Sequence, residues 1–153
     1  MALRIRALFA GFGLESFAKT SGSKGMQVYV PLNGELTYET TKPFSHAVAR
    51  ALESSEPDLV TSQMTKSLRP GKVFVDWSQN TRTKTTVAAY SLRARELPTA
   101  SAPLRWDEVD GGLDPATFTM DVVLERIARD GDLLAPALAG GQSLRAALRA
   151  VGG

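Results

Sequence analysis

The sequence predicts an α+β fold, a small and mostly antiparallel sheet with flanking helices. Three observations predict it. Several stretches place apolar residues at helical spacing, other short runs rich in Val, Tyr and Phe are bounded by Gly, Pro and Asn, and neither internal repeats nor a linker long enough to divide two domains interrupts them.

In chain order, residues 2–13 read as a helix, with Leu3, Leu8, Phe9 and Phe12 forming an apolar stripe and Gly13 as C-cap. Ser16 to Lys19 reads as a short extended piece and Thr20 to Gly25 as a Gly/Ser/Lys loop. Met26 to Leu32 has strand composition and ends at Pro31 and Asn33-Gly34. Thr40 to Ser54 is the second helix, with Phe44, Val48, Ala51 and Leu52 on one face and Pro43 in its first turn. Leu59 to Ser62 reads as a brief strand, Ser67 to Gly71 as a turn around Pro70-Gly71, and Lys72 to Trp77 as an apolar strand with Thr85 to Tyr90 as its partner. Arg95 to Leu104 holds Pro98 and Pro103 and reads as irregular. Trp106 opens a helical turn, Phe118 to Arg129 is an amphipathic helix, and a short, frayed helix around Ser143 to Ala150 closes the chain.

A hydrophobic content of 43% with 22% charged residues fits a soluble globular protein, and 153 residues suffice for a real core. The chain has no cysteine, which excludes disulfides and thiolate metal sites. No apolar run approaches the roughly 20 residues that span a bilayer. Arg4 and Arg6 interrupt the apolar N-terminus and no cleavage-like segment follows, so a signal peptide is not expected and a cytoplasmic location is. Net charge is only +2, but it is unevenly spread. Leu59 to Arg95 holds seven cations (Lys66, Arg69, Lys72, Arg82, Lys84, Arg93, Arg95) against the single acid Asp76, whereas Glu96 to Asp132 holds nine acids against three cations. The basic segment suits a phosphate-bearing partner, and suits equally a solvated face balanced by the acidic segment.

Three groups of residues could carry chemistry. Lys19-Thr-Ser-Gly-Ser-Lys-Gly25 precedes a strand, with glycines that let backbone approach a phosphate, hydroxyls on Thr20, Ser21 and Ser23, and flanking lysines. It is not a Walker loop, which follows a strand and opens a helix. As a pattern alone it also fits a plain turn between strands. Asp76 ends the apolar run Val73-Phe-Val-Asp-Trp77, where a carboxylate can hold a divalent metal near phosphate oxygens or form a structural ion pair with Arg69, Lys72 or Arg93. Arg69, Gln79-Asn80 and Arg93 would converge at one end of the sheet if the two flanking strands pair, and are surface groups otherwise. His46, the only histidine, has no second ligand at metal spacing and reads as a partly exposed helix residue. Trp77 and Trp106 read as packing residues rather than base-stacking platforms.

Four segments in order, KTSGSKGMQVYVPL (19–32), TKSLRPGKVFVDWSQN (65–80), KTTVAAYSLRAR (84–95) and ERIARDGDLL (125–134), resemble the polymerase domain of bacterial ligase D, in the archaeo-eukaryotic primase superfamily. The resemblance is spread over most of residues 3–134 and corresponds to the C-terminal half of that catalytic core, so residues 1–134 are expected to form a partial polymerase domain and residues 135–153 an unassigned tail. It implies a role in DNA repair by non-homologous end joining, adding NTPs or dNTPs to DNA ends with Mn²⁺ or Mg²⁺. Ser21 and Lys24 match the motif that grips the incoming triphosphate, and Asp76 matches the third metal-binding carboxylate. Arg69, Gln79 and Arg93 match positions lining the nucleotide site, and Gln27 stands where the family usually has histidine. The family's paired aspartates lie upstream of the matched segments, and no acidic residue precedes Glu15. The expectation is therefore part of a nucleotidyltransferase that is inactive without an upstream polymerase half, with a DNA ligase and a Ku-like protein as further partners. A non-catalytic nucleotide- or DNA-binding module, or a degenerate fragment, is the alternative.

Overall fold

The computed structural model describes residues 1–32 and 36–151, so the expected Asn33-Gly34 strand end lies outside the described residues. Its helices are α1 (Ala2–Gly11), α2 (Tyr38–Ser55), α3 (Trp106–Asp110), α4 (Met120–Asp130), α5 (Ala135–Ala139) and α6 (Arg145–Val151). Its strands are β1 (Phe17–Thr20), β2 (Met26–Tyr29), β3 (Val60–Thr61), β4 (Val73–Phe74), β5 (Leu92–Arg93), β6 (Thr99–Ala100) and β7 (Pro103–Leu104). Mixed helices and small, mostly antiparallel sheets make the α+β class correct. The chain divides into two compact units, one from Met1–Asn33 with Val87–Ser143, the other from Gly34–Thr86 with Leu144–Gly153.

The first unit is built on the sheet β2-β1-β7, antiparallel throughout. β1 is central and buried from Ala18 to Thr20, so the usual alternation of polar and apolar faces is absent, and Lys19 and Thr20 are buried polar residues. α1 stops where the sequence places its cap. Gly13 takes φ +71°, its N–H donates to the Ala10 carbonyl and that of Leu14 to Phe9, which satisfies two orphan carbonyls. The core joins Ala18, Ala100, Ala102, Leu104, Phe118 and Val123, with Met26, Tyr90, Trp106, Val109 and Leu113 packed against it.

Three expectations fail here. Thr85 to Tyr90 is not a strand, and β4 pairs instead with β3 in parallel, with Val73 donating to Leu59 O and Val75 to Thr61 O. Arg95 to Leu104 is not wholly irregular, because β6 and β7 lie in it and carry much of the core. Proline at the first position of β7 costs no ladder bond that the strand needs, and Ala100, Ser101 and Ala102 are small enough to pack closely. Phe118 lies before α4 rather than in it, and it is 5% exposed in the core.

In the second unit, α2 buries Phe44, Val48, Ala49 and Leu52 and packs on β3 and α6. It begins two residues earlier than expected, so Pro43 falls in the second turn and cannot donate to the carbonyl four residues back. The tail does not fray into a featureless end. Leu144 and Ala147 are buried in this unit, and the Gln142 amide donates to Glu15 O (2.9 Å) while accepting from Glu15 N (2.5 Å) in the first unit.

Candidate nucleotide-binding site

In the first unit the residues between β1 and β2 close a tight turn. Ser21 N–H donates to Gly25 O (2.9 Å), and Gly25 N–H donates back to Ser21 Oγ (3.2 Å). Gly22 takes φ +65°, and a Cβ there would lie 2.5 Å from Arg93 Cγ and 3.1 Å from Ser101 N. Glycine is therefore required twice, once for the backbone and once for the approach of Arg93. Among the described residues, no acceptor bonds the N–H groups of Gly22, Ser23 and Lys24. Successive free N–H groups in such a turn form a concavity that suits an anion.

The turn is bolted down from beneath. Thr20 Oγ1 donates to Ala100 O (3.0 Å) and accepts from Ala102 N (2.9 Å), Ser101 Oγ donates to Thr20 O (2.7 Å), and Thr99 Oγ1 donates to Gly22 O (3.0 Å). Lys24 is exposed, and Arg95 donates to Ser23 Oγ. An open cleft of about 630 Å³ adjoins them, lined by Ser23, Lys24, Arg95 and Thr99 and also by the acids Glu96 and Asp114. Asp114 is occupied in capping its own turn, accepting from Ala116 N at 2.9 Å. Gln27 lies opposite Lys19 across the β1–β2 ladder and accepts from the Tyr29 hydroxyl (3.2 Å).

In the second unit Asp76 follows β4 and is exposed. Its Oδ1 accepts from Ser78 N (3.1 Å) and Ser78 Oγ (2.5 Å), its Oδ2 from Gln79 Nε2 (3.2 Å), and Lys84 donates to Ser78 Oγ. The carboxylate thus caps a short 3₁₀ turn, Trp77–Gln79, and among the described residues of its own unit it forms no ion pair with Arg69 or Lys72. Arg69 stacks its guanidinium 3.7 Å from the Phe74 ring centroid and donates from Nη2 to Met64 O (2.6 Å), leaving a buried Nε without a partner. His46 is a partly exposed helix residue, as expected, and stacks on Trp77 at 4.1 Å, while Trp77 Nε1 donates to Ser62 O (3.0 Å), so Trp77 serves packing as expected.

Ser21, Lys24 and Arg93 therefore meet around one turn, Gln27 lies on the strand that leaves it, and Asp76 and Gln79 are hydrogen-bonded to each other. The expected pairing of residues 72–77 with 85–90 does not occur. Sequence reasoning missed Arg95 as a lining residue, although its spacing of two from Arg93 would put both on one face of an extended chain. It also took Lys19 as a flanking cation, whereas Lys19 is buried. Asp76 keeps lone pairs free for one cation, but a hard divalent ion needs about six oxygen ligands. Among the described residues no three His, Asp or Glu side chains gather to hold one.

Residues 1–134 match the family described as LigD, primase-polymerase domain. The chain is 53% identical over 136 residues to the multifunctional non-homologous end joining DNA repair protein LigD of Mycobacterium tuberculosis, covering 88% of this chain and 18% of that protein. It is 40% identical over 131 residues to the bifunctional non-homologous end joining protein LigD of Bacillus subtilis, covering 85% of this chain and 21% of that protein. The solved polymerase domain from Mycobacterium tuberculosis Ligase D in complex with DNA superposes with a TM-score of 0.83 at 51% identity, covering 92% of this chain and 49% of that one. The chain thus spans about a fifth of the curated relatives and about half of the solved domain, and it belongs to the LigD primase-polymerase domain family.

Proposed function

We propose that this chain is the triphosphate-handling part of a metal-dependent polymerase that extends DNA ends during non-homologous end joining. The observation that carries the reading is the Ser21–Gly25 turn, with three free N–H groups, the exposed Lys24 lining the adjoining cleft and Arg93 packed into the space that Gly22 leaves. Oriented N–H dipoles and arginine forks hold phosphate oxygens and offset the charge that develops when a 3′-hydroxyl displaces pyrophosphate. Ser21 and Lys24 bind the triphosphate in this reading, with Gln27 and Arg93 beside them, and the family resemblance adds Arg69 and Gln79 of the second unit as nucleotide-site residues. Asp76 supplies one ligand to a Mn²⁺ or Mg²⁺ ion, which neutralises phosphate charge when bound. Further carboxylates would come from the half of the polymerase domain outside the matched 49%. DNA ends, a ligase and a Ku-like protein are the partners this reading implies, in the cytoplasm at the nucleoid.

Calorimetric titration of ATP into the 153-residue chain, with and without Mn²⁺, tests it. Binding weakened by Lys24→Ala and by Arg93→Ala supports the site, and no binding sinks it. Primer extension that survives Asp76→Ala would refute the metal assignment. A second reading, a nucleotide-binding module without catalysis, is favoured by the absence, among the described residues, of any group of three His, Asp or Glu side chains that could hold a metal ion. It predicts ATP binding but no incorporation with any metal, even when the other half of the domain is supplied.

A further inference from the structure

Lys19 is the largest fully buried side chain in the described molecule, at 1% exposed. Its Nζ donates to Val87 O (2.8 Å) and Ser101 Oγ (2.5 Å) and lies 5.7 Å from the Tyr29 ring centroid. Every one of these partners is neutral, and among the described residues no carboxylate pairs with it. A buried ammonium without a counter-ion is costly, so its retention needs a reason. Its position supplies one. Ser101, which accepts from Lys19, is the residue whose hydroxyl holds Thr20 O just before the turn. The other acceptor, Val87, leads to Tyr90, whose N–H donates to Ser101 O (2.7 Å) and whose φ of +67° is strained for an aromatic residue. Two residues beyond Ser91, which accepts from Ser101 N (2.9 Å), stands Arg93 against Gly22. Lys19 thus fastens both walls of the turn, the strand entering it and the segment that delivers Arg93.

We propose that Lys19 is a positioning residue of this anion site, an uncompensated buried cation whose missing counter-charge is the triphosphate bound at the Ser21–Gly25 turn. The inference rests on the triphosphate reading and deepens it. It has a consequence that structural packing lacks, namely that binding the anion favours the protonated amine and draws a proton from solvent. Burial already lowers the Lys19 amine from 10.5 to about 8, which brings that proton into an accessible range. The groups that neighbouring elements bring toward it do not compete. Gln27 does not titrate, Tyr29 is pushed up by burial, and Tyr90 is pushed up by burial and by its bond to Asp132.

The test is proton uptake on ATP binding to the 153-residue chain, by calorimetry at pH 8 in two buffers of different ionisation enthalpy. A terminal phosphate has its second ionisation near about pH 6, so ATP contributes little at that pH. Uptake of roughly half a proton per ATP is expected at pH 8, fading toward none as the pH falls to about 7. Lys19→Gln, which keeps a donor and removes the charge, should abolish that uptake and weaken binding between about 5- and 150-fold. Ser101→Ala, which strips one oxygen from the ammonium, should shift the uptake profile to lower pH, and this assignment holds even if Lys19→Gln fails to fold. ATP binding with no proton uptake, uptake that persists in Lys19→Gln, or a profile that Ser101→Ala leaves unmoved overturns the inference while leaving the triphosphate reading intact. Absence of ATP binding overturns both.

Discussion

Gly22 shows how much a single residue decides. Its φ of +65° is open to few side chains, and the space where a Cβ would sit is taken by Arg93 and by the backbone of Ala100 and Ser101. Gly22→Ala should lower stability by about 1–3 kcal/mol, read from the thermal midpoint, and should weaken ATP binding by displacing Arg93. The glycine is plain in the sequence, but its reason is not, because the atoms that crowd it come from residues some 70 and 80 positions later. Lys19 makes a second residue-scale prediction. Its amine titrates at about 8 when folded and at 10.5 when unfolded. Below pH 8 both states are charged and the folded one bears the full cost of burial. Between these values the unfolded chain binds more protons, so the stability of the free protein should rise with pH. Denaturant midpoints measured from pH 7 to 10.5 should climb for the wild type and stay flatter for Lys19→Met. A lysine in a KTSG run looks like a surface cation, since nothing local announces that the strand carrying it is central and covered on both faces.

At the scale of elements, the α3–α4 corner is held by charge as well as by packing. Glu108 accepts from Arg126 Nη1 (2.5 Å) and Nη2 (2.9 Å) and caps α3 through Arg105 N (2.8 Å), while Arg126 also reaches Pro103 O (3.3 Å) on β7. The guanidinium holds the Glu108 carboxyl below its usual 4.5. A lowered carboxyl gives stability that is complete above 4.5 and lost as pH falls through the folded value. Wild type should therefore lose more stability than Glu108→Gln between pH 5 and 3. Arg126→Ala should cost about 2 kcal/mol at pH 7 in urea titration, since it strands a mostly buried carboxylate. Helical periodicity made α1, α2 and α4 legible to within a few residues, because each spaces its apolar residues along one face, although only α2 buries a full stripe, α4 burying Val123 alone and α1 no residue. The strands were less legible. β3, β4, β5, β6 and β7 are two residues each, too short for an alternating pattern to declare itself, and Thr85 to Tyr90 has strand composition without a strand partner.

For the whole molecule, the match to the family described as LigD, primase-polymerase domain, ends at residue 134, but the second compact unit does not. Leu144 and Ala147 are 2% and 0% exposed, and α6 packs on α2. Leu144→Ala should cost about 2–5 kcal/mol and speed hydrogen exchange in α2 and β3 while leaving β1 and β2 unchanged. Equal acceleration in both units would show instead that they unfold as one.

The sequence by itself determined the fold class, the helices, the family resemblance and the residue types at the candidate site, because these rest on local periodicity and on motifs contiguous in the chain. The tertiary structure alone decided that Arg93 and Arg95 stand beside the Ser21–Gly25 turn, that Asp76 caps its own 3₁₀ turn rather than pairing with an arginine, and that Lys19 is buried among neutral oxygens. Each of those outcomes depends on which strand pairs with which. Pairing joins residues about 85 apart between β1 and β7, and β5 finds β6 rather than the segment before it. Burial is a property of such pairing, and a lysine's charge acquires its cost and its use only once the strands around it have closed.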